Sequence, residues 1–360
     1  LGHPCGRIGR PAPMPPSVTA SEQHLIESSV RTLFPGYFAM VMATGIVAIG
    51  AAQQEIFWLA EPLYAIAAVT YVVLAVLLTG RLAVAHKLLA ADITSHAKGF
   101  AFLTTVAATN VLGSASGIIH GWWTLSWGLW WFSLALWVLF VYATLFAVVL
   151  KGPKPGLDKG INGTWFLLTV STESIAVLAA VLLVRTGPNQ AIELISLSAF
   201  VLGIVLYLIV MTLLFLRWTF RPVSPAELQP PSWIAAGALA ITVLAGSTLL
   251  ASQDQLPRIE RLAPFLEGMV LLAWATATFW LPVMVAMGIW RHGARRVPLS
   301  YHPSMWSMVF PIGMYGVATF RMIPVTGFTG LNVVPEVVLG IASVAWLLTA
   351  VGTVRSLTSR

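Results

Sequence analysis

Ten apolar stretches of about twenty residues each, separated by short polar connections, divide this chain between residues 34 and 353. A helix needs about twenty residues to cross the roughly 30 Å hydrocarbon core of a bilayer, and it satisfies its own backbone hydrogen bonds while doing so. The stretches fall at residues 34–50, 56–79, 99–119, 123–149, 164–184, 195–216, 233–252, 262–289, 303–320 and 331–353. They predict an all-α polytopic membrane protein with ten transmembrane helices. Composition points the same way. Of 360 residues, 58% are hydrophobic and 9% charged, where a soluble domain has about 45–50% and about 25%. Too few charges exist to coat a water-facing surface, which excludes a soluble enzyme.

The segment before the first span divides in two. Residues 1–20 (LGHPCGRIGRPAPMPPSVTA) are rich in Pro, Gly and Arg and lack the apolar core of a signal peptide, so a disordered tail is expected there. Residues 21–33 (SEQHLIESSVRTL) form either a short amphipathic helix on the membrane, capped by Ser21, or more tail. The expected organisation is a tail at residues 1–30, a ten-helix transmembrane domain at 31–356 and a short tail at 357–360.

Orientation follows from the basic residues, because Lys- and Arg-rich loops stay on the cytoplasmic side. With the N-terminus inside, sixteen of the twenty Lys and Arg lie in cytoplasmic segments, leaving Arg185, Arg258, Arg261 and Arg321 outside. An added or missing helix would blur that asymmetry, so both termini are expected in the cytoplasm. The net charge of +7 is scattered through loops rather than gathered on a stripe, which argues against a nucleic-acid partner.

Several chemistries drop out. The single cysteine, Cys5, excludes disulfide frameworks, zinc clusters and iron–sulfur ligation. The seven histidines show no HExxH pattern and lie in the tail, in connections or at span ends; Asp92, Asp158 and Asp254 all lie in loops. No catalytic set, metal site or cofactor motif emerges.

The spans are of two kinds. Odd-numbered spans are richer in Gly, Ala, Ser and Thr, most of all spans 3 (FAFLTTVAATNVLGSASGII) and 7 (WIAAGALAITVLAGSTLLAS). Span 4 (WTLSWGLWWFSLALWVLFVY) is the bulkiest and most aromatic of the even ones. Small residues let helices approach closely or line a narrow passage, while bulky ones suit lipid. The simplest arrangement is five helical hairpins, odd helices inside, around a central space; a solid bundle would use the same small residues for packing. Pro311 in span 9 and Pro282 in span 8 each free a carbonyl that needs a partner or a wet cavity, which favours a pore. Candidate pore-lining groups are Thr44 and Gly45 in span 1, Asn110 in span 3 and Thr248 in span 7, with Arg321 at the outer mouth. Glu173, mid-span in span 5, is a functional candidate because an ionisable group there is costly. Glu267 and Glu336, near the starts of spans 8 and 10, either reach the headgroups or serve transport.

Three segments carry a resemblance. FPGYFAMVMATGIV at 34–47, TWFLLTVSTESIAVLAA at 164–180 and MWSMVFPIGMYGVAT at 305–319 resemble the first, fifth and ninth spans of the tellurite-resistance/dicarboxylate transporter (TDT) family. That family includes plant guard-cell slow anion channels, the bacterial tellurite-resistance channel and fungal malate and sulfite transporters. The resemblance covers about residues 30–355. It implies five hairpins around a pore lined by the odd helices, a homotrimer with one pore per subunit in the lipid bilayer, and an aromatic plug matching Phe310, just before Pro311. It also implies small anions as substrates, either C4-dicarboxylates such as malate or monovalent inorganic anions, and residence in a bacterial plasma membrane. Such pores select anions through helix dipoles and hydroxyls. A charged Glu173 would repel them, so it is expected either to carry a proton or to turn away from the passage. A protonatable Glu173 would suit the alternative, a proton-coupled carrier for dicarboxylate or sulfite; a membrane-embedded enzyme or sensor is the remote third reading.

Overall fold

The computed structural model describes residues 33–358; the N-terminal tail and the amphipathic helix expected over 21–33 lie outside the described residues. Those residues hold ten helices long and apolar enough to cross a membrane. They are α1 (Pro35–Gln53), α2 (Phe57–Ile93), α3 (Gly99–His120), α4 (Trp123–Leu150), α5 (Gly163–Thr186), α6 (Gln190–Phe220), α7 (Pro230–Gln255), α8 (Pro257–Ala294), α9 (Pro303–Thr326) and α10 (Thr329–Thr358).

Two boundaries move far from the hydropathy reading. Helix α2 continues to residue 93, and its 37 residues reach about 55 Å, well beyond a roughly 30 Å core. Its last turns fold back, with non-helical backbone at Ala85 (φ −142°, ψ 36°). There the buried Arg81 pairs with Asp92 and donates to the Leu33 carbonyl, while Lys98 takes the other Asp92 oxygen at 3.0 Å. Asp92 therefore sits on a helix, not in a loop, as does Asp158, in a single turn at Leu157–Gly160. Asp254 lies in a 3-10 turn, Gln253–Gln255. Helix α9 runs to Thr326, so Arg321 is within the helix rather than beyond it. Hydropathy falls at both places because charge enters, but backbone hydrogen bonding does not stop there.

All five odd helices open on a 3-10 turn, at Pro35–Phe38, Gly99–Leu103, Gly163–Phe166, Pro230–Trp233 and Pro303–Met305. Proline at the start of three of them costs no helical donor. Two openings are capped by side chains: Asn162 Oδ1 accepts from the Thr164 N–H at 2.9 Å, and His302 Nδ1 from the Ser304 N–H at 3.2 Å. Gly121 (φ 71°) and Gly327 (φ 75°) close α3 and α9 in the left-handed conformation that glycine adopts without strain.

Burial separates the two kinds of helix. In their most apolar windows α1, α3 and α5 are 89% buried, α7 94% and α9 67%, against 17–39% for the even helices. Each odd helix packs against the even helix that follows it, and the odd helices touch one another in a closed order, α1–α3–α5–α7–α9–α1. Their opening turns repeat that closed order. The even helices turn residues such as Leu139, Phe146, Leu208, Phe279 and Leu348 outward, as a hydrocarbon solvent requires.

Glycine sets the spacing of the inner ring. A methyl at Gly237 of α7 would stand 2.8 Å from Pro311 Cγ of α9, so the two backbones meet where only hydrogen fits. Gly128, on the outward α4, has nothing within 4 Å. Gly237→Ala is therefore expected to cost about 1–3 kcal/mol by overpacking. Gly128→Ala is expected to gain up to about 1 kcal/mol of helix propensity. Thermal unfolding of the two variants in detergent should move in opposite directions.

Candidate functional site

On the axis of the inner ring lies a cavity to which only odd helices contribute. Apart from Val111, which adjoins Asn110, its lining advances by three or four residues along each: Ile46, Ile49 and Gln53 from α1; Asn110, Ser114 and Ile118 from α3; Ser174, Val177 and Val181 from α5. Helices α7 and α9 add Ile241, Leu244 and Thr248, and Met314, Val317 and Arg321. That spacing is one face of an α-helix. The space open to water centres is about 20 Å³, on the order of one water molecule.

A second hollow, about 440 Å³ by the same measure, opens where the odd helices begin. It is lined from every odd helix or the residue or two just before it, by Phe34, Ala97, Thr164, Ser232 and Ser304, together with Lys159, Arg217 and His302. Five helix N-termini thus gather the positive ends of their dipoles at one mouth, an arrangement that draws negative charge. Along α9, Phe310 falls between Ser304 at the hollow and Met314 at the cavity. It is 1% exposed and belongs to the packed core. About 15 Å of close-packed side chains separates the two spaces, judged from the ten residues between Ser304 and Met314.

The sequence candidates divide. Asn110, Thr248 and Arg321 meet at the cavity. Asn110 also ties three helices together, donating to Ser174 Oγ at 2.9 Å and accepting from Ser133 Oγ of α4 at 2.6 Å. Thr44 and Gly45 lie off the cavity. The Thr44 hydroxyl accepts from Trp346 Nε1 of α10 at 2.9 Å, and Gly45 packs under Val111 of α3. Glu173 also lies away from it. Its carboxyl is buried against Gly203 of α6, where a methyl would overlap it, and Thr242 of α7 donates to Oε1 at 3.0 Å. Oε2 has no partner among the described residues. Glu336 lines an outer hollow beside Glu55 and Gln53, and Glu267 is half-exposed on α8.

Sequence reasoning missed Gln53 and Ser114. Their signal was the shared helical phase of small and polar residues, but one chain does not reveal which face of each helix turns to the axis. The mouth was missed too, because its lining is scattered over connections.

One ion pair sits at that mouth. Arg217, 4% exposed, reaches Glu227 at 2.7 Å and the Asp158 carbonyl at 3.2 Å. Glu227 lies in the connection between α6 and α7. The Ser224 backbone N–H, and after it the Arg217 guanidinium, hold its carboxyl below the usual carboxylate range.

A profile of the family described as voltage-dependent anion channel (SLAC1) matches residues 32–354. Two Mycobacterium tuberculosis sequences named uncharacterized membrane proteins are 42% identical over 117 residues, 32% of this chain. The chain spans 59% of the length of those relatives. An uncharacterized transporter of Methanocaldococcus jannaschii is 21% identical over 332 residues, covering 90% of this chain and 93% of the relative.

The Glu227–Arg217 pair makes a prediction. A lowered carboxyl stabilises the fold above its ordinary value of 4.5, and that contribution is lost as pH falls through the lower folded value. Glu227→Gln is expected to remove this acid-side loss and, with Glu227 partly exposed, to cost on the order of 1 kcal/mol at neutral pH. Unfolding midpoints of both proteins between pH 7 and pH 3 provide the check.

Proposed function

The chain belongs to the voltage-dependent anion channel family, and on that premise we propose that it moves small anions across the membrane along the axis of its five odd helices. The observation that carries this reading is the lining of the axial cavity, drawn from odd helices alone and free of carboxylates among the described residues. The mouth with its five helix N-termini would gather anions electrostatically; its Arg217 is already paired with Glu227. Phe310, between mouth and cavity, is the plug, held one residue before the kink-forming Pro311; its rotation opens the route.

Five odd–even hairpins then form the wall of one passage, with the even helices facing lipid and neighbouring subunits of a homotrimer. The Lys and Arg bias supports a cytoplasmic mouth and cytoplasmic termini, and the bacterial relatives support residence in a bacterial plasma membrane. The position of Glu173 favours a channel over a proton-coupled carrier. A coupling carboxyl must meet the substrate route, and this one is packed against α6 and α7.

Liposomes containing the purified protein test the plug. Phe310→Ala is expected to raise passive anion flux about tenfold or more, whereas Glu173→Gln leaves flux and its pH dependence unchanged. Unchanged flux in Phe310→Ala, together with proton-driven uptake against a gradient that Glu173→Gln abolishes, would reverse the assignment.

A further inference from the structure

Arg321 differs from the other buried or half-buried arginines among the described residues, which all have a partner: Arg291, half-buried at the end of α8, donates to the Leu228 carbonyl. Arg81 and Arg217 are each met by a carboxylate. Arg321 is half-buried in α9 and lines the axial cavity with no ion pair or hydrogen bond among the described residues. It is also the one charged residue in that lining. Side chains on a helix lean toward its N-terminus, and the odd helices all run from the mouth toward this end. Arg321 borders the same space as Val317 and Met314, which precede it by one and two turns on α9.

Two polar groups reach the same space with unused capacity. The Ser114 hydroxyl is buried and makes no hydrogen bond among the described residues. Gln53 lines the cavity with its Oε1 buried and unpartnered, and turning the amide over presents a donor instead. The remaining walls are apolar, chiefly Ile, Val and Leu. A cation held in so dry a space needs a counter-charge, since burying one unpaired is costly.

We propose that Arg321, Ser114 and Gln53 form a binding site for one small monovalent anion, of halide size, at the end of the cavity away from the mouth. The proposal rests on the anion-conduction reading and specifies its substrate class. Charge and size select the ligand together. One guanidinium neutralises one negative charge, and a dicarboxylate would leave a second charge uncompensated against apolar walls. A space of about 20 Å³ is closer to the room that one small ion needs than to that of a four-carbon diacid. Anion preference at this site therefore comes from a fixed charge, whereas at the mouth it comes from helix dipoles.

Binding is read separately from transport. The purified full-length protein is melted in detergent with sodium gluconate as the background salt and sodium chloride as the titrated probe. Chloride should raise the unfolding midpoint in a saturable way, because a ligand that binds only the folded state stabilises it by mass action. Arg321→Gln should weaken the apparent chloride affinity about tenfold or more, and Ser114→Ala should weaken it by less. Arg321→Lys keeps the charge and retains an intermediate effect, so one measurable variant survives if the glutamine form fails to fold. Sodium malate at equal concentration should give no saturable shift.

An unchanged chloride response in both Arg321 variants, or no response in the parent protein, overturns the site. A malate shift that depends on Arg321 overturns the monovalent assignment. Absence of anion flux in Phe310→Ala liposomes, with the chloride response intact, would instead count against conduction and leave the site standing.

Discussion

In hydrocarbon, a polar group that finds no partner has no water to fall back on, and the whole structure depends on that constraint. Helices answer it for the backbone. Hydroxyls and indoles need a second solution, and the outer helices supply it. Trp130 and Trp137 of α4 donate to Ile175 O and Thr172 Oγ1 of α5. Trp274 of α8 donates to Thr319 of α9, and Trp346 of α10 to Thr44 of α1. Tyr71 of α2 meets Thr109 of α3 at 2.8 Å. The aromatic residues that look like lipid-facing bulk in the sequence are thus partly rivets, joining four of the five inner helices to an outer helix that shields them.

Once those hydroxyls are occupied outward, the inward face is left with few polar groups, and these are the ones available to a permeant ion. The same division explains the carboxylates. Glu173 meets Thr242 and the bare backbone at Gly203, so it joins three helices. Arg81 and Arg217 are likewise satisfied, by Asp92 and Glu227. Arg321, without such a partner, lines the axial cavity, and among the described residues it is the half-buried arginine with neither an ion pair nor a hydrogen bond.

Much of the fold was legible in the sequence. The ten spans, their alternation between small and bulky composition, and the inward position of the odd helices all follow from hydropathy and side-chain size. Asn110 and Thr248 are legible as polar residues at membrane depth, and Arg321 as a cation at the outer mouth. Thr44 and Glu173 satisfied the same criterion and lie elsewhere, because depth says nothing about azimuth. Ser114 and Gln53 were indistinguishable from many other small or polar residues near span interiors and ends.

The sequence by itself determined how many helices are long and apolar enough to cross the membrane and which of them can pack closely. Hydrophobic length and local charge are properties of each segment alone, so they survive without knowledge of neighbours. Only the tertiary structure decided which face of each odd helix turns to the axis, which hydroxyls are spent on outer-helix indoles, and that Arg321 lies inside a helix with no ion pair among the described residues. Those outcomes depend on the rotation of one helix against another. That rotation is set by contacts such as Gly237 against Pro311 and Gly45 under Val111, between residues 66 or more positions apart in the chain.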